Sequence, residues 1–209
     1  MTFSIVIAVL VSYLLGNLNG SVTISNLMIH DDVRHHGSGN AGLTNFFRNF
    51  GGWNSLLVIL IDVGKAVIAC YAAGLLLQPY DLYLEGLMLG GVCVTLGHDF
   101  PVLLGLHGGK GILCGITLTA VIDWQLALLV FAVFIIVFLL THYVSLCSVL
   151  GAVILGVGFM VRYIQPHPLV AVGGAALALL AIVMHRGNIV RLVKGTESKV
   201  FLHKKGKKS

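Results

Sequence analysis

The chain has 209 residues, of which 57% are hydrophobic and 10% charged, and carries a formal net charge of +5; its mean hydropathy is +0.97. An ordinary soluble domain has about 25% charged residues, so that class is excluded and the chain belongs in a bilayer. The apolar runs are long enough for helices and lack the alternation of a membrane barrel, which predicts an all-α polytopic bundle forming a single membrane-embedded domain over residues 1–209.

Met1 to Leu15 has neither a basic leader nor a small-residue cleavage site, so the first run is expected to stay as a span. Seven spans are predicted, at Phe3–Met28, Gly52–Leu77, Leu84–Leu104, Gly111–Ile122, Gln125–Tyr143, Leu146–Tyr163 and Pro168–Met184. The fourth would cover only ~18 Å of a ~30 Å core, so a re-entrant segment is the alternative. Charge decides between them. With seven spans, Arg34, Arg48, Lys110 and every Lys or Arg from Arg186 onward share one side, and Arg162 alone lies opposite. The positive-inside rule then puts the N-terminus out and the C-terminus in the cytoplasm, with 198–209 as a basic tail suited to anionic lipid rather than nucleic acid. Cys70, Cys93, Cys114 and Cys147 fall inside apolar runs without a C-x-x-C pair and read as packing residues. Gly151, Gly156, Gly158, Gly173 and Gly174 read as close-packing positions between spans.

Three polar stretches come to the cytoplasmic face in this topology. The first runs from Asp31 to Arg48, where Gly37, Gly39 and Gly42 interleave with Ser38, Asn40, Thr44 and Asn45 in a loop suited to binding oxygen atoms. His30, His35 and His36 beside Asp31 and Asp32 lack recurrent ligand spacing, so no metal is expected there. Within the second span Asp62 and Lys65 share a helical face, which predicts a pair or a cavity lining. The second stretch is Gly97-His98-Asp99-Phe100-Pro101, where proline ends the helix, followed by Gly108-Gly109-Lys110-Gly111. Those glycines can take positive φ and expose N–H groups next to a lysine and a helix start, the parts of an anion site. It is no Walker loop, because Leu104 and Gly111 stand where that pattern needs Gly and Ser or Thr. The third stretch follows the last span: His185, Asn188 and Leu192 share a face, with Arg186 and Arg191 expected to point elsewhere.

No histidine is followed five positions on by aspartate, and the acids are too scattered for a CDP-alcohol phosphotransferase. What matches is the combination of Gly20-Ser21; Asp32-Val33-Arg34 with Gly37-Ser38-Gly39-Asn40-Ala41-Gly42-Leu43-Thr44-Asn45 and Arg48; Gly97-His98-Asp99-Phe100-Pro101 with Gly108-Gly109-Lys110-Gly111; and His185-Arg186-Gly187-Asn188-Ile189 with Arg191, Gly195 and Glu197. In these residues, in this order, the chain resembles bacterial acyl-phosphate:glycerol-3-phosphate acyltransferases of the PlsY type.

The resemblance implies acyl transfer from acyl phosphate to the 1-position of sn-glycerol 3-phosphate, giving lysophosphatidic acid for phospholipid synthesis in a bacterial inner membrane, without metal or other cofactor. It implies Ser38, Arg48, Lys110, His185 and Asn188 as catalytic residues. Gly37, Gly39, Asn40, Thr44, Asn45, His98, Gly108, Gly109 and Gly111 would bind substrate. The chain departs from the family pattern at Val22-Thr23-Ile24-Ser25, Leu43, His107 and Leu113-Cys114, which bears on donor preference. Alternatives are an acyltransferase with another acceptor, or a membrane carrier of anionic solute or lipid, though the paired broken helices of inverted repeats are missing from the sequence.

Overall fold

The computed structural model describes residues 1–201, and among them every regular element is helical. The α-helices are α1 (Thr2–Asn17), α2 (Gly20–Ile24), α3 (Leu43–Asn49), α4 (Asn54–Leu77), α5 (Tyr83–Asp99), α6 (Ile112–Ile122), α7 (Trp124–Thr141), α8 (Val144–Tyr163), α9 (Pro168–Met184) and α10 (Arg186–Val193). Four helical segments, Asn54–Tyr80, Tyr83–Leu104, Trp124–Thr141 and Val144–Tyr163, are long and apolar enough to cross a membrane. Two bent pairs bring the count to six: Thr2–Asn17 with Gly20–Ile29, at 40°, and Pro168–Met184 with Arg186–Val193, at 57°. The expected fourth span is α6, whose 11 residues make only ~16 Å of helix.

The run expected as one span from Phe3 to Met28 breaks at Leu18-Asn19, and the physical reason lies on α4. Lys65 Nζ donates to the freed carbonyls of Gly16 (3.2 Å) and Leu18 (2.7 Å). Asp62 Oδ1 accepts the Gly20 N–H at 3.1 Å and pairs with Lys65 at 2.8 Å. Asn19 Oδ1 restarts the helix by accepting from Val22 N at 3.0 Å. An intramembrane ion pair thus stands in for the water that a broken helix would otherwise need. Beyond α2 a turn of π-helix, Ser25–Ile29, ends at His30 with φ 57°.

α1, α4 and α5 pack against one another, α8 lies between α7 and α9, and α5 meets α9. Small residues let the backbones approach: a Cβ on Gly97 would fall 2.1 Å from Tyr13 O, and one on Gly90 2.4 Å from Ala69 O. The later glycines also pack as the sequence predicts, with Gly156 against Ala178, Gly158 against Leu126, Gly173 against Met88 and Gly174 against Phe159. The main core joins Leu87 and Met88 of α5, Leu118 of α6, Leu126 and Val130 of α7, Leu155 and Phe159 of α8, and Leu177 and Ala178 of α9. All four cysteines are free and buried. The segment expected as tail from Ser198 departs from that reading at its start. Val200 is buried beside Phe138 and Cys147, and its N–H donates to His142 O at 2.9 Å. Lys204, Lys205, Lys207 and Lys208 lie outside the described residues.

Candidate active site

The first polar stretch is held in shape by Asn45. Its side chain accepts the Ser38 N–H at 3.0 Å and donates to the carbonyls of Val33, His36 and Asn40, each at 3.0 Å. Gly37 sits at φ 57°, where a Cβ would lie 2.5 Å from Asn45 Oδ1. Both Gly37 and Gly39 therefore serve the turn, which presents Ser38, Asn40, Thr44 and Arg48 to a cavity. Nearby, His36 Nε2 hydrogen-bonds Asp31 Oδ2 and Arg34 forms an ion pair with Asp32, both at 2.7 Å.

The second stretch folds back onto the end of α5. Gly109 N–H donates to His98 O at 3.0 Å, and Gly108 O accepts from Ala41 N–H at 3.3 Å, which fastens this loop to the first. Of Gly108, Gly109 and Gly111, only Gly111 has positive φ, at 65°. The expectation of positive φ is corrected at the other two: they are glycines because a Cβ would meet His98 at 2.0 Å. Neither lines the cavity, whereas Lys110 and Gly111, at the N-terminus of α6, do. The first N–H groups of a helix have no intrahelical partner, so this end of α6 offers donors and the positive pole of its dipole.

The third stretch closes the polar end. Lys110 Nζ donates to Asn188 Oδ1, Asn188 Nδ2 donates to Glu197 Oε1 at 2.9 Å, and Glu197 also accepts from Ser145 Oγ at 3.0 Å and Arg191 Nε at 2.7 Å. His185 Nδ1–H donates to Ala181 O at 2.8 Å, leaving Nε2 as the acceptor nitrogen. Arg48 Nη2 donates to Ser198 O at 2.7 Å, and its Nε is buried without a partner among the described residues. Burial holds the Lys110 and Arg48 pKa values below their ordinary ranges, and the like charge of Arg191 adds to both shifts. Burial works against the Glu197 carboxylate, but its hydrogen bonds from Asn188, Arg191 and Ser145 outweigh that and lower its pKa. Three cations facing one carboxylate leave a surplus of positive charge, so this end is built for an anion.

The three stretches meet on one cavity of about 370 Å³. Ser38, Asn40, Thr44, Asn45, Arg48, His98, Lys110, Gly111, His185 and Asn188 line it; Gly37, Gly39, Gly108 and Gly109 do not. Arg191 corrects the expectation that it points elsewhere, since it lies three residues after Asn188 on the same face. Asp62 lines the cavity as well as pairing with Lys65; Ser145 and Glu197 also line it and were not anticipated as site residues. Glu197 lay within the quoted motif, but Ser145, in the first turn of an apolar helix, carried no signal. Away from the charges the wall becomes apolar, with Phe131 and Phe134 of α7, Ala152 and Leu155 of α8 and Ala178 of α9.

A site with a cationic head and an apolar tail fits an amphiphile with an anionic group, and comparison with known proteins agrees. Residues 6–195 match the family described as glycerol-3-phosphate acyltransferase. The chain is 36% identical over 197 residues to a glycerol-3-phosphate acyltransferase of Prochlorococcus marinus (strain MIT 9215), covering 93% of this chain and 97% of that one. It is 38% identical over 204 residues to one of Clostridioides difficile (strain 630), covering 95% and 96%. A crystal structure of PlsY (YgiH), an integral membrane glycerol 3-phosphate acyltransferase in its glycerol 3-phosphate form, superposes with a TM-score of 0.84 at 30% identity over 95% of this chain and 96% of that one. The lysophosphatidic acid form of the same enzyme superposes with a TM-score of 0.81 at 28% identity. On its motifs, its helical architecture and these matches over nearly its whole length, the chain belongs to the glycerol-3-phosphate acyltransferase family.

Proposed function

We propose that this membrane protein transfers a fatty acyl group from acyl phosphate to the 1-hydroxyl of sn-glycerol 3-phosphate, producing lysophosphatidic acid and inorganic phosphate. The observation that carries the reading is the joining of Arg48, Lys110 and the N-terminus of α6 to an apolar channel in one cavity. Phosphate would sit at the cationic end and the acyl chain in the channel. The alcohol oxygen attacks the acyl carbonyl carbon, the bond from that carbon to the phosphate oxygen breaks, and the departing phosphate takes the alcohol proton. An acyl phosphate is already activated, so the protein supplies position and charge. Lys110 holds phosphate oxygens with the N–H groups that Asn188 does not engage, and Arg48 holds the second phosphate. His185 Nε2 accepts a hydrogen bond from the attacking hydroxyl. Ser38 and Thr44 offer hydroxyls, Asn40 an amide, and His98 a ring edge to the same space. Asn45 acts through the loop it shapes, as do Gly37, Gly39, Gly108, Gly109 and Gly111.

We further infer that the whole chain acts as one domain of the bacterial inner membrane, with the site facing the cytoplasm, the N-terminus outside and the C-terminus inside. The gathering of Arg34, Arg48, Lys110 and Arg191 near the site supports this side. Seven passes are supported by α6 running from the site toward Asp123, which pairs at 2.7 Å with Arg162 at the far end of α8. Detergent-purified protein should release phosphate from palmitoyl phosphate only when glycerol 3-phosphate is present. Release without the acceptor, or none with it, would contradict the assignment.

A further inference from the structure

The apolar half of the cavity runs up to the main core. On α8 its lining climbs through Ser145, Ser148, Gly151, Ala152 and Leu155 and stops there. The next residue of that stripe, Phe159, is fully buried in the core. Leu155, Val130 of α7 and Ala178 of α9, each 7% exposed, line the deep end and belong to that core. From Ser145 to Leu155 the wall rises about 15 Å at 1.5 Å per residue. Carbon–carbon bonds of about 1.5 Å meeting near 111° advance an extended chain by ~1.25 Å per carbon. The enclosed length therefore takes about a dozen carbons. Midway stands Gly151, which lines the cavity beside Val130, and a Cβ there would lie 3.3 Å from Val130 Cγ1; a larger side chain has no room between the two helices and must project into the cavity.

We infer that Leu155 at the floor and Gly151 in the wall set the length of acyl chain that this protein accepts. The inference rests on the acyl-transfer reading above and adds the residues that select among donors. Each methylene moved from water into an apolar site is worth about fourfold in affinity. Selectivity should rise by that factor per carbon until the chain meets Leu155, then stop rising or fall.

The test compares kcat/KM for octanoyl, lauroyl, palmitoyl and stearoyl phosphate in the wild type, Gly151→Leu and Leu155→Ala. Gly151→Leu should lower the palmitoyl-to-octanoyl ratio by about tenfold or more, since a leucine there removes the depth of several methylenes. Leu155→Ala should raise the stearoyl-to-lauroyl ratio. Ratios that stay constant while all donors change together, or a profile flat in chain length, would overturn the inference. The second result would mean that the chain leaves sideways past Phe131, which lines the cavity and is 57% exposed. If Gly151→Leu does not insert, Leu155→Ala alone still decides. Heat protection by alkyl phosphates of the same lengths gives a readout without turnover. If the variants shift its length dependence while no donor transfers its acyl group, length selection stands and the acyl-transfer reading falls; length-independent protection overturns the inference.

Discussion

Lys110 has its ammonium against Asn188 Oδ1 and two further protons for a ligand. At 4 Å two unit charges interact by about 4 kcal/mol for an effective dielectric near 20, and part of this is lost to desolvation. Lys110→Ala should therefore lower kcat/KM by about 2–3 kcal/mol, on the order of 10²-fold, at unchanged membrane levels. Lys110→Arg should recover little, because a planar fork does not replace a compact ammonium beside close-packed glycines. Wild-type turnover by either inserted variant would remove the lysine from the site. Its lowered pKa adds a pH prediction. Phosphate binding needs the charged form, so activity should fall as pH rises through a pKa below the ordinary ~10.4. The same desolvation disfavours folding, fully below the folded pKa and not at all above the ordinary value, so stability should rise between the two. A pH–rate profile and unfolding midpoints across the alkaline range check both signs. Asp99 is a different case: it is 1% exposed and neither carboxylate oxygen has a hydrogen-bond partner among the described residues. Asp99→Asn, which keeps the shape and removes the charge, should raise stability by about 1–3 kcal/mol; a lower melting temperature would show that the carboxylate is held by something else.

Among the elements, the break in the first span depends on α4. Lys65 satisfies two carbonyls there and also reaches His98 Nδ1 at 2.8 Å, so one ammonium joins the broken helix to the residue under the glycine loop. Lys65→Met should cost about 3–5 kcal/mol, because it leaves Asp62 buried without its counter-charge. Adding Asp62→Asn should cost less than the sum of the two single changes, and strict additivity in thermal unfolding would deny the coupling. This junction shows where sequence reading stops. The Phe3–Met28 run carries no charge, and its one local break signal is Asn17-Leu18-Asn19-Gly20; the charged groups that make the break tolerable lie on another helix. The end of α9 at Met184 was legible because His185 and Arg186 interrupt the apolar run there. The three polar stretches were legible for a related reason, since lipid-facing sequence has no use for them. Gly108 and Gly109 were read for their backbone freedom, whereas the structure needs them for lack of room: the obstacle to a Cβ is His98, which leaves no local signature. Ser145 shows the same limit, as its partner Glu197 joins it only through the fold.

At the scale of the whole molecule, the proposed orientation predicts which surfaces reagents reach. A cysteine at exposed Ser198 should be labelled by an impermeant maleimide only after cells are opened, and one at exposed Gln165, near Arg162, should be labelled in intact cells. The reverse pattern would turn the site to the outer face. The short helix α6 has one further consequence. In the proposed topology its ~16 Å is shorter than a ~30 Å hydrocarbon core, so with its C-terminal end near the outer face, its N-terminus beside Lys110 would be sunk below the cytoplasmic surface. The two proposed reactants would then meet on the lipid's terms: the acyl group would keep its depth in the oil, and the water-soluble alcohol would make the descent. Chemistry at such a phase boundary needs no lifting of a fatty tail into water.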